Sequence, residues 1–356
     1  MPEDDQLLGL SEAADLLRTS RQALGNWRQR REGFPRPIAE LKSGPVWRRA
    51  DLVEWANANG VVVAELDGAD DTTTFNGAGT TIALMNMKGG VGKSTLTANL
   101  GWFCAQKQDQ RVLLVDLDPQ FNLSQYVMGT DGYEKHLEAD KGSVLDIFEQ
   151  ATPPSVSGKA KKREVRPENI IAPIKSWADG SRMDLVPSSL ELSWTLKNPS
   201  GKEQLLTLFL DEVRSSYDLI LIDCAPTESM LTTAAYLASD SVLVPVKPEF
   251  LSTIGLPLVV KSLDDFARLY KQSVDVLGIV FNASADKLEH GRSRSFVRKV
   301  AKEHGWYVFR HEMSYSDSYP KGSRSGTPIF QTDYARYWKI EDFYAVAEEF
   351  VGRLTP

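Results

Sequence analysis

From Thr80 onward, short runs of nearly continuous apolar residues alternate with longer segments whose apolar positions recur every three or four residues. The runs are Thr81–Met87, Val112–Asp116, Met183–Val186, Leu219–Asp223, Val242–Val246 and Val276–Phe281. Around them the spacing predicts helices over Lys93–Lys107, Lys202–Arg214, Ser229–Ala238, Thr253–Tyr270 and Arg292–His304, with a last one over about Ala335–Arg353. A strand that is apolar at every position is covered on both faces. The pattern therefore predicts an α/β fold, a mostly parallel sheet flanked by helices. Ahead of it, Leu7 to Asn59 reads as a compact helical module, and the Gly-, Thr-, Asp- and Ala-rich stretch Gly60 to Gly79 as a linker. The expected organisation is a small domain over residues 1–59, a linker over 60–79 and the α/β domain over 80–356. The basic stretch Pro153–Arg166 reads as a solvated surface insertion.

Composition narrows the class. The chain has 356 residues, 42% hydrophobic and 25% charged, a globular balance that excludes collagen-like, coiled-coil and disordered chains. With 41 Lys+Arg against 48 Asp+Glu the net charge is −7, so any contact with nucleic acid must come from local basic patches. Cys104 and Cys224 form no C-x-x-C pair, and His136, His290, His304 and His311 show no metal-ligand spacing. The acidic start Met1–Asp5 is followed by no apolar run, which argues against a signal peptide, and no stretch reaches the roughly 18 apolar residues of a membrane span. A cytoplasmic protein is expected.

The chemistry is concentrated in Lys88-Gly89-Gly90-Val91-Gly92-Lys93-Ser94-Thr95, which follows an expected strand and opens an expected helix. Glycines let the backbone curl so that several N–H groups face a phosphate, and the helix adds its positive end. Lys93 would reach the β- and γ-phosphates and Ser94 would ligate Mg²⁺, with Gly89, Gly90, Val91, Gly92 and Thr95 completing an ATP or GTP cradle. Asp116 and Asp118 follow one buried strand and Asp223 ends another, as a Walker B acid does. In an open α/β sheet, ligands sit at the carboxyl ends of the strands, so the three carboxylates are expected in one crevice with the loop.

Lys88 before the double glycine, with Asp116-x-Asp118-Pro119-Gln120, resembles the deviant-Walker ATPases of the ParA/Soj partition branch. The resemblance extends over roughly Thr80 to Phe350 and includes Tyr217–Asp223, Val244-Pro245-Val246 and Thr253-Ile254-Gly255-Leu256. It implies ATP and Mg²⁺ as cofactors and a nucleotide-sandwich homodimer in which Lys88 crosses to the partner's phosphates. In that family Asp118 orients the attacking water, Asp116 supports the metal shell, Asp223 holds Mg²⁺ through water, and Asn282 hydrogen-bonds the adenine. Two departures bear on the switch segments: Phe121 where the family has a small residue, and Asp223-Cys224-Ala225-Pro226 for the common Asp-Thr-Pro-Pro. Neither removes a charged group.

Two surfaces are candidates for DNA. In the first module, Ser11 and Thr19 or Ser20 could cap two short helices. The second of these presents Arg21, Gln22, Asn26 and Arg28, and a turn at Lys42–Pro45 precedes Arg48 and a helix Ala50–Asn59. This resembles the winged helix-turn-helix of MerR-like and excisionase-like proteins; an exposed module that binds protein is the alternative. The second surface is a cationic helix face with Lys287, Arg292, Arg294, Arg298, Lys299 and Lys302, read either as a solvated face or as a sequence-independent DNA contact. The resemblance implies a slow ATPase stimulated by DNA and by a ParB-like centromere-binding partner, associated with the nucleoid and possessing an N-terminal domain that represses its own operon. An ATP-gated transcription regulator and an ATPase that positions a protein cargo remain open. A membrane-bound MinD-like role lacks its basic C-terminal helix, since Lys339–Pro356 carries two basic residues against four acidic ones, and a nitrogenase-reductase-like role lacks its paired cysteines.

Overall fold

The computed structural model describes residues 7–8, 13, 16–17, 24, 28, 33–41, 44–59, 79–139, 141–149, 165–249, 255–284, 288–333 and 335–354. The chain forms two compact units, Met1–Asn76 and Gly77–Pro356.

In the first unit, strands β1 (Leu7–Leu8), β2 (Ala39–Leu41) and β3 (Gly44–Arg48) form a small antiparallel sheet in the order β1-β3-β2, followed by helix α1 (Arg49–Ala58). The expected turn over Lys42–Pro45 is shorter than its residues suggested, because Gly44 pairs with Leu41 and Pro45 with Glu40 inside the hairpin. Trp47 is fully buried, donates its indole N–H to the Pro35 carbonyl at 2.9 Å and packs edge-on against Phe34. Phe34 also meets Trp55 at 4.7 Å, and Leu8, Leu16, Leu24 and Leu52 complete the core. A unit this small relies on such aromatic burial, since one Trp removes more apolar area from water than two small aliphatics.

The second unit is a seven-stranded sheet in the order β10-β9-β4-β8-β5-β7-β6. Its strands are β4 (Thr80–Leu84), β5 (Arg111–Leu117), β6 (Ala172–Ser176), β7 (Arg182–Val186), β8 (Leu219–Cys224), β9 (Ser241–Val246) and β10 (Asp275–Phe281). All pairings are parallel except β6 with β7. The six apolar runs are all present as the parallel strands. Edge strand β6 escapes the pattern because Ala-Pro-Ile-Lys-Ser is mostly solvent-facing, with no buried residue to make it read as a core strand.

Period-two alternation divides each strand between two helical layers. Leu113, Val115, Ile220 and Ile222 face one layer, built from α4 (Val144–Glu149), α5 (Leu205–Val213), α6 (Met230–Ala238), α7 (Gly255–Tyr270) and α8 (Leu288–Glu303). Val112, Leu114, Leu219 and Leu221 face the other, built from α2 (Lys93–Lys107), α3 (Asn122–Glu138), α9 (Ser318–Ser325) and α10 (Tyr337–Leu354). Central β8 is buried along its whole length. It separates β4 from β5, so the chain leaving β4 passes over it, and the strand order reverses there. A crevice opens at such a point beyond the carboxyl ends of the strands. Among the described residues, no helix is long and apolar enough to cross a membrane.

Candidate nucleotide-binding site

The crevice is built from three adjacent strand ends. Leu84 of β4 pairs with Asp223 of β8, and Asp223 pairs with Asp116 of β5, so the acids arrive side by side next to the loop that leaves β4. The loop residues Gly90 and Gly92 have φ of +74° and +87°, a left-handed conformation that L side chains rarely adopt. At Gly92 a Cβ would also collide with the Asn282 amide. Gly92 is the residue before α2, whose N-terminus opens on Lys93 and Ser94.

Asn86 anchors the start of the loop. Its amide donates to the Pro245 carbonyl at 2.8 Å, and its Oδ1 accepts the Lys88 N–H at 2.9 Å. Lys93 is buried, with Nζ donating to the carbonyls of Asn86 (3.2 Å) and Lys88 (3.3 Å). Burial lowers its pKa, an effect that Asp223 and Asp118 oppose. The cation therefore waits in the fold of the loop, held by weak contacts that an anionic phosphate can outcompete.

Asp223 is fully buried and neither carboxylate oxygen has a well-formed hydrogen bond. Burial first, then the neighbouring Asp116, pushes its pKa well up, and the approach of Ser94 and Lys93 offsets this only in part. A buried acid without partners is costly unless a cation or its water shell completes it. Asp223 facing Ser94 therefore fits a hydrated magnesium ion. Among the described residues no three His, Cys, Asp or Glu side chains form a ready metal cage.

Asp116 has a different environment from the one expected of a residue in the metal shell. Its Oδ2 accepts both the N–H (2.8 Å) and the hydroxyl (2.7 Å) of Ser124, and its Oδ1 accepts the Asp118 N–H at 3.1 Å. Burial pushes its pKa up to about 7, against the pull of those bonds. Asp116 thus ties the loop after β5 to the first turn of α3. Asp118 sits on that loop, beside Lys93 at the wall of a cleft of about 560 Å³. The loop glycines, Ser94 and Thr95 line the same cleft.

Asn282, which the resemblance gives to adenine, stands against the phosphate loop. It is buried, its amide donates to the Val91 carbonyl at 2.7 Å, and its Oδ1 accepts the Ala283 N–H at 2.7 Å. The side chain thus holds the phosphate loop against the end of β10. Sequence reasoning missed the far wall of the cleft, where α9 contributes Tyr319, Ser323 and Arg324. That helix, Ser-Tyr-Pro-Lys-Gly-Ser-Arg-Ser, carries too few apolar residues to register as periodic. It also missed Ser124 and Ser188, which no motif marks.

The cationic residues separate into two groups. On α8, Arg292, Arg298 and Lys299 are exposed, whereas Arg294 is mostly covered and grips Glu312 through Nε (2.9 and 2.8 Å) and Nη2 (2.7 Å). The even cationic row expected over Arg294, Arg298 and Lys302 is therefore interrupted, because Glu312 holds Arg294 closely and also draws the exposed Arg298 to 3.7 Å. Arg28 and Arg48 are exposed in the first unit, while Arg21, Gln22, Asn26 and Lys287 lie outside the described residues, as do 60–78 and 150–164.

A strand–glycine loop–helix unit with a lysine beneath the loop and an acid on the adjacent strand defines a P-loop nucleotide-binding protein. The AAA domain family matches residues 79–276. Over 205 residues the chain is 31% identical to a virulence plasmid ParA family protein of Chlamydia psittaci, covering 57% of this chain and 68% of that one. It is 33% identical over 186 residues to the sporulation initiation inhibitor protein Soj of Bacillus subtilis, covering 50% and 62%. The solved ATP complex of a Cyanothece McdA variant superposes with a TM-score of 0.63 at 19% identity, over 77% of this chain and 97% of that one. The chain belongs to the ParA-type P-loop ATPases within the AAA domain family.

Proposed function

We propose that this protein is a partition ATPase that binds Mg·ATP as a sandwich homodimer, coats DNA without sequence preference and is released when a cargo-bound partner stimulates hydrolysis. The observation that carries the nucleotide cycle is the fully buried Asp223, whose carboxylate has no well-formed hydrogen bond beside Ser94 and Lys93, an arrangement that a hydrated cation and a polyphosphate would complete. Lys93 would bind the β- and γ-phosphates, Ser94 would ligate magnesium and Asp223 would hold it through water. Magnesium would supply charge neutralisation of the phosphates. Asp118 would orient the attacking water, and Asp116, through Ser124, would set the position of Asp118. Lys88, at the entrance to the loop, would cross to the partner protomer's phosphates, which couples dimerisation to ATP.

DNA contact is assigned to Arg292, Arg298 and Lys299 on α8, with Arg294 removed from that set by Glu312. Individually such contacts are weak and salt-sensitive; a dimer presents two sets at once. The first unit, with its β2–β3 hairpin, Arg28 and Arg48, supports a winged helix-turn-helix reading and operon autoregulation. A cytoplasmic, nucleoid-associated protein with a ParB-like partner follows from this reading. The test is binding of the purified protein to random and upstream-operon duplexes in the apo, ADP and ATP states. ATP-dependent binding to random DNA is the expected result. Binding to the operon fragment alone would replace this reading with an ATP-gated regulator, and ATP-dependent dimerisation without DNA binding would favour a protein cargo.

A further inference from the structure

Phe121 stands at a position that strains any residue with a side chain. It is the N-cap of α3, directly after the Asp118-Pro119-Gln120 turn, and its φ is +46°. A bulky residue in left-handed backbone persists only when its surroundings hold it there. Here the Phe121 ring stacks on Tyr133, with centroids 5.2 Å apart and planes 12° from parallel. The Tyr133 hydroxyl donates to the Ser188 carbonyl at 2.9 Å, and the Ser188 hydroxyl donates to the Asp118 carbonyl at 2.8 Å. The Phe121 N–H donates to that same Asp118 carbonyl at 2.8 Å. These contacts make a closed ring that begins and ends on Asp118. A second strand of the network runs alongside, with the Ser188 N–H donating to the Ser124 hydroxyl at 2.9 Å and that hydroxyl donating to Asp116.

The ring fixes the backbone of Asp118, and a bond inside the turn fixes its carboxylate. The Gln120 N–H donates to Asp118 Oδ1 at 2.9 Å, which fixes the side chain against its own turn and leaves its other oxygen without a bond inside that turn. Asp118 lines the nucleotide cleft from this position. A glycine at 121 would adopt the same φ without strain but would contribute no ring, so nothing would join the turn to Tyr133.

We propose that Phe121 is a positioning residue for hydrolysis, a clamp that, through Tyr133 and Ser188, holds Asp118 at the angle needed to orient water. This rests on the reading of Asp118 given above. It also explains why a strained aromatic is kept at a turn that glycine would satisfy: the ring trades local strain for a fixed catalytic loop.

The experiment uses the whole chain. Single-turnover ATP hydrolysis, ATP affinity by equilibrium binding and thermal unfolding are measured for Phe121→Gly, Phe121→Tyr, Tyr133→Phe and Asp118→Ala. Phe121→Gly is expected to slow hydrolysis about tenfold, since small misplacements of a catalytic group carry rate costs of this order or more, while ATP affinity stays within about twofold of wild type. Phe121→Tyr, which keeps a stackable ring, should restore the rate. Tyr133→Phe, which keeps the ring and deletes the bond to Ser188, should fall between. An unchanged or raised rate in Phe121→Gly, with Asp118→Ala inactive, overturns the clamp and leaves the role of Asp118 standing. Parallel losses of rate, affinity and unfolding temperature also overturn it, since they indicate a purely structural residue. Undiminished hydrolysis in Asp118→Ala instead removes the reading on which the clamp rests.

Discussion

Asn282→Ala separates two roles for one side chain. The resemblance to partition ATPases assigns Asn282 to the adenine base, and the structure commits it to the phosphate loop. In the folded protein its amide gives a 2.7 Å bond to the buried Val91 carbonyl and its Oδ1 takes the Ala283 N–H at 2.7 Å, with Ala283 itself at φ +50°. Alanine at 282 leaves the Val91 carbonyl without its side-chain donor, which costs about 1–3 kcal/mol when water cannot replace it. Taking about 2 kcal/mol as the centre, unfolding of this large unit should shift by about 4 °C without any nucleotide present. Because the loop is loosened upstream of all base recognition, affinity for ATP and GTP should fall by similar factors. Asn282→Asp should be worse than alanine, since it aims a carboxylate oxygen at a carbonyl oxygen in a buried site.

The assay is thermal unfolding of the apo proteins, paired with equilibrium binding of both nucleotides. An adenine-reading Asn282 predicts the opposite pattern: an unchanged apo midpoint and a loss confined to ATP. That result would refute the assignment of this side chain to the phosphate loop.

Four further outcomes follow from the same site and surface. Lys88→Ala should bind ATP nearly as wild type but fail to form the ATP-dependent dimer by light scattering, because the side chain is not needed to shape its own loop; a normal ATP dimer would remove the trans role. Asp223→Asn replaces a buried, unpartnered carboxylate by a neutral isostere, so the apo protein should unfold about 2 °C or more higher while magnesium-dependent ATP binding is lost; lower apo stability would show that Asp223 has a partner in solution. Replacing Arg298 and Lys299 with Glu should abolish ATP-dependent binding to random DNA and leave nucleotide affinity intact. Arg294→Ala, by contrast, should chiefly destabilise the fold, because it removes the close, mostly covered partner of Glu312 and leaves only the exposed Arg298 at 3.7 Å; retained DNA binding in the double variant would return α8 to a solvated face.

The parts of this protein that are legible in its sequence are those where one physical requirement dominates a stretch. Burial on both faces writes β8 as Leu-Ile-Leu-Ile-Asp-Cys, and the need for backbone N–H groups around a phosphate writes the glycine loop, so the order of residues alone reveals both sheet and loop. Strand β6 and helix α9 are not legible in this way, since neither buries enough apolar surface to impose a period, although α9 forms a wall of the cleft. Polar side chains fare differently again. Motif spacing brings Asp116, Asp118 and Asp223 to one place, but what each carboxylate does depends on donors supplied from elsewhere. Ser124 lies eight residues beyond Asp116, and Ser188 comes from the loop after β7, so no local pattern could show that Asp116 is saturated while Asp223 is bare. Asn282 and Phe121 carry the same lesson in opposite directions. An asparagine that the family resemblance gives to adenine supports the phosphate loop through its amide. A phenylalanine that looked like a departure from type is bound into the frame of Asp118, where the strain it bears is balanced by the ring contact it makes.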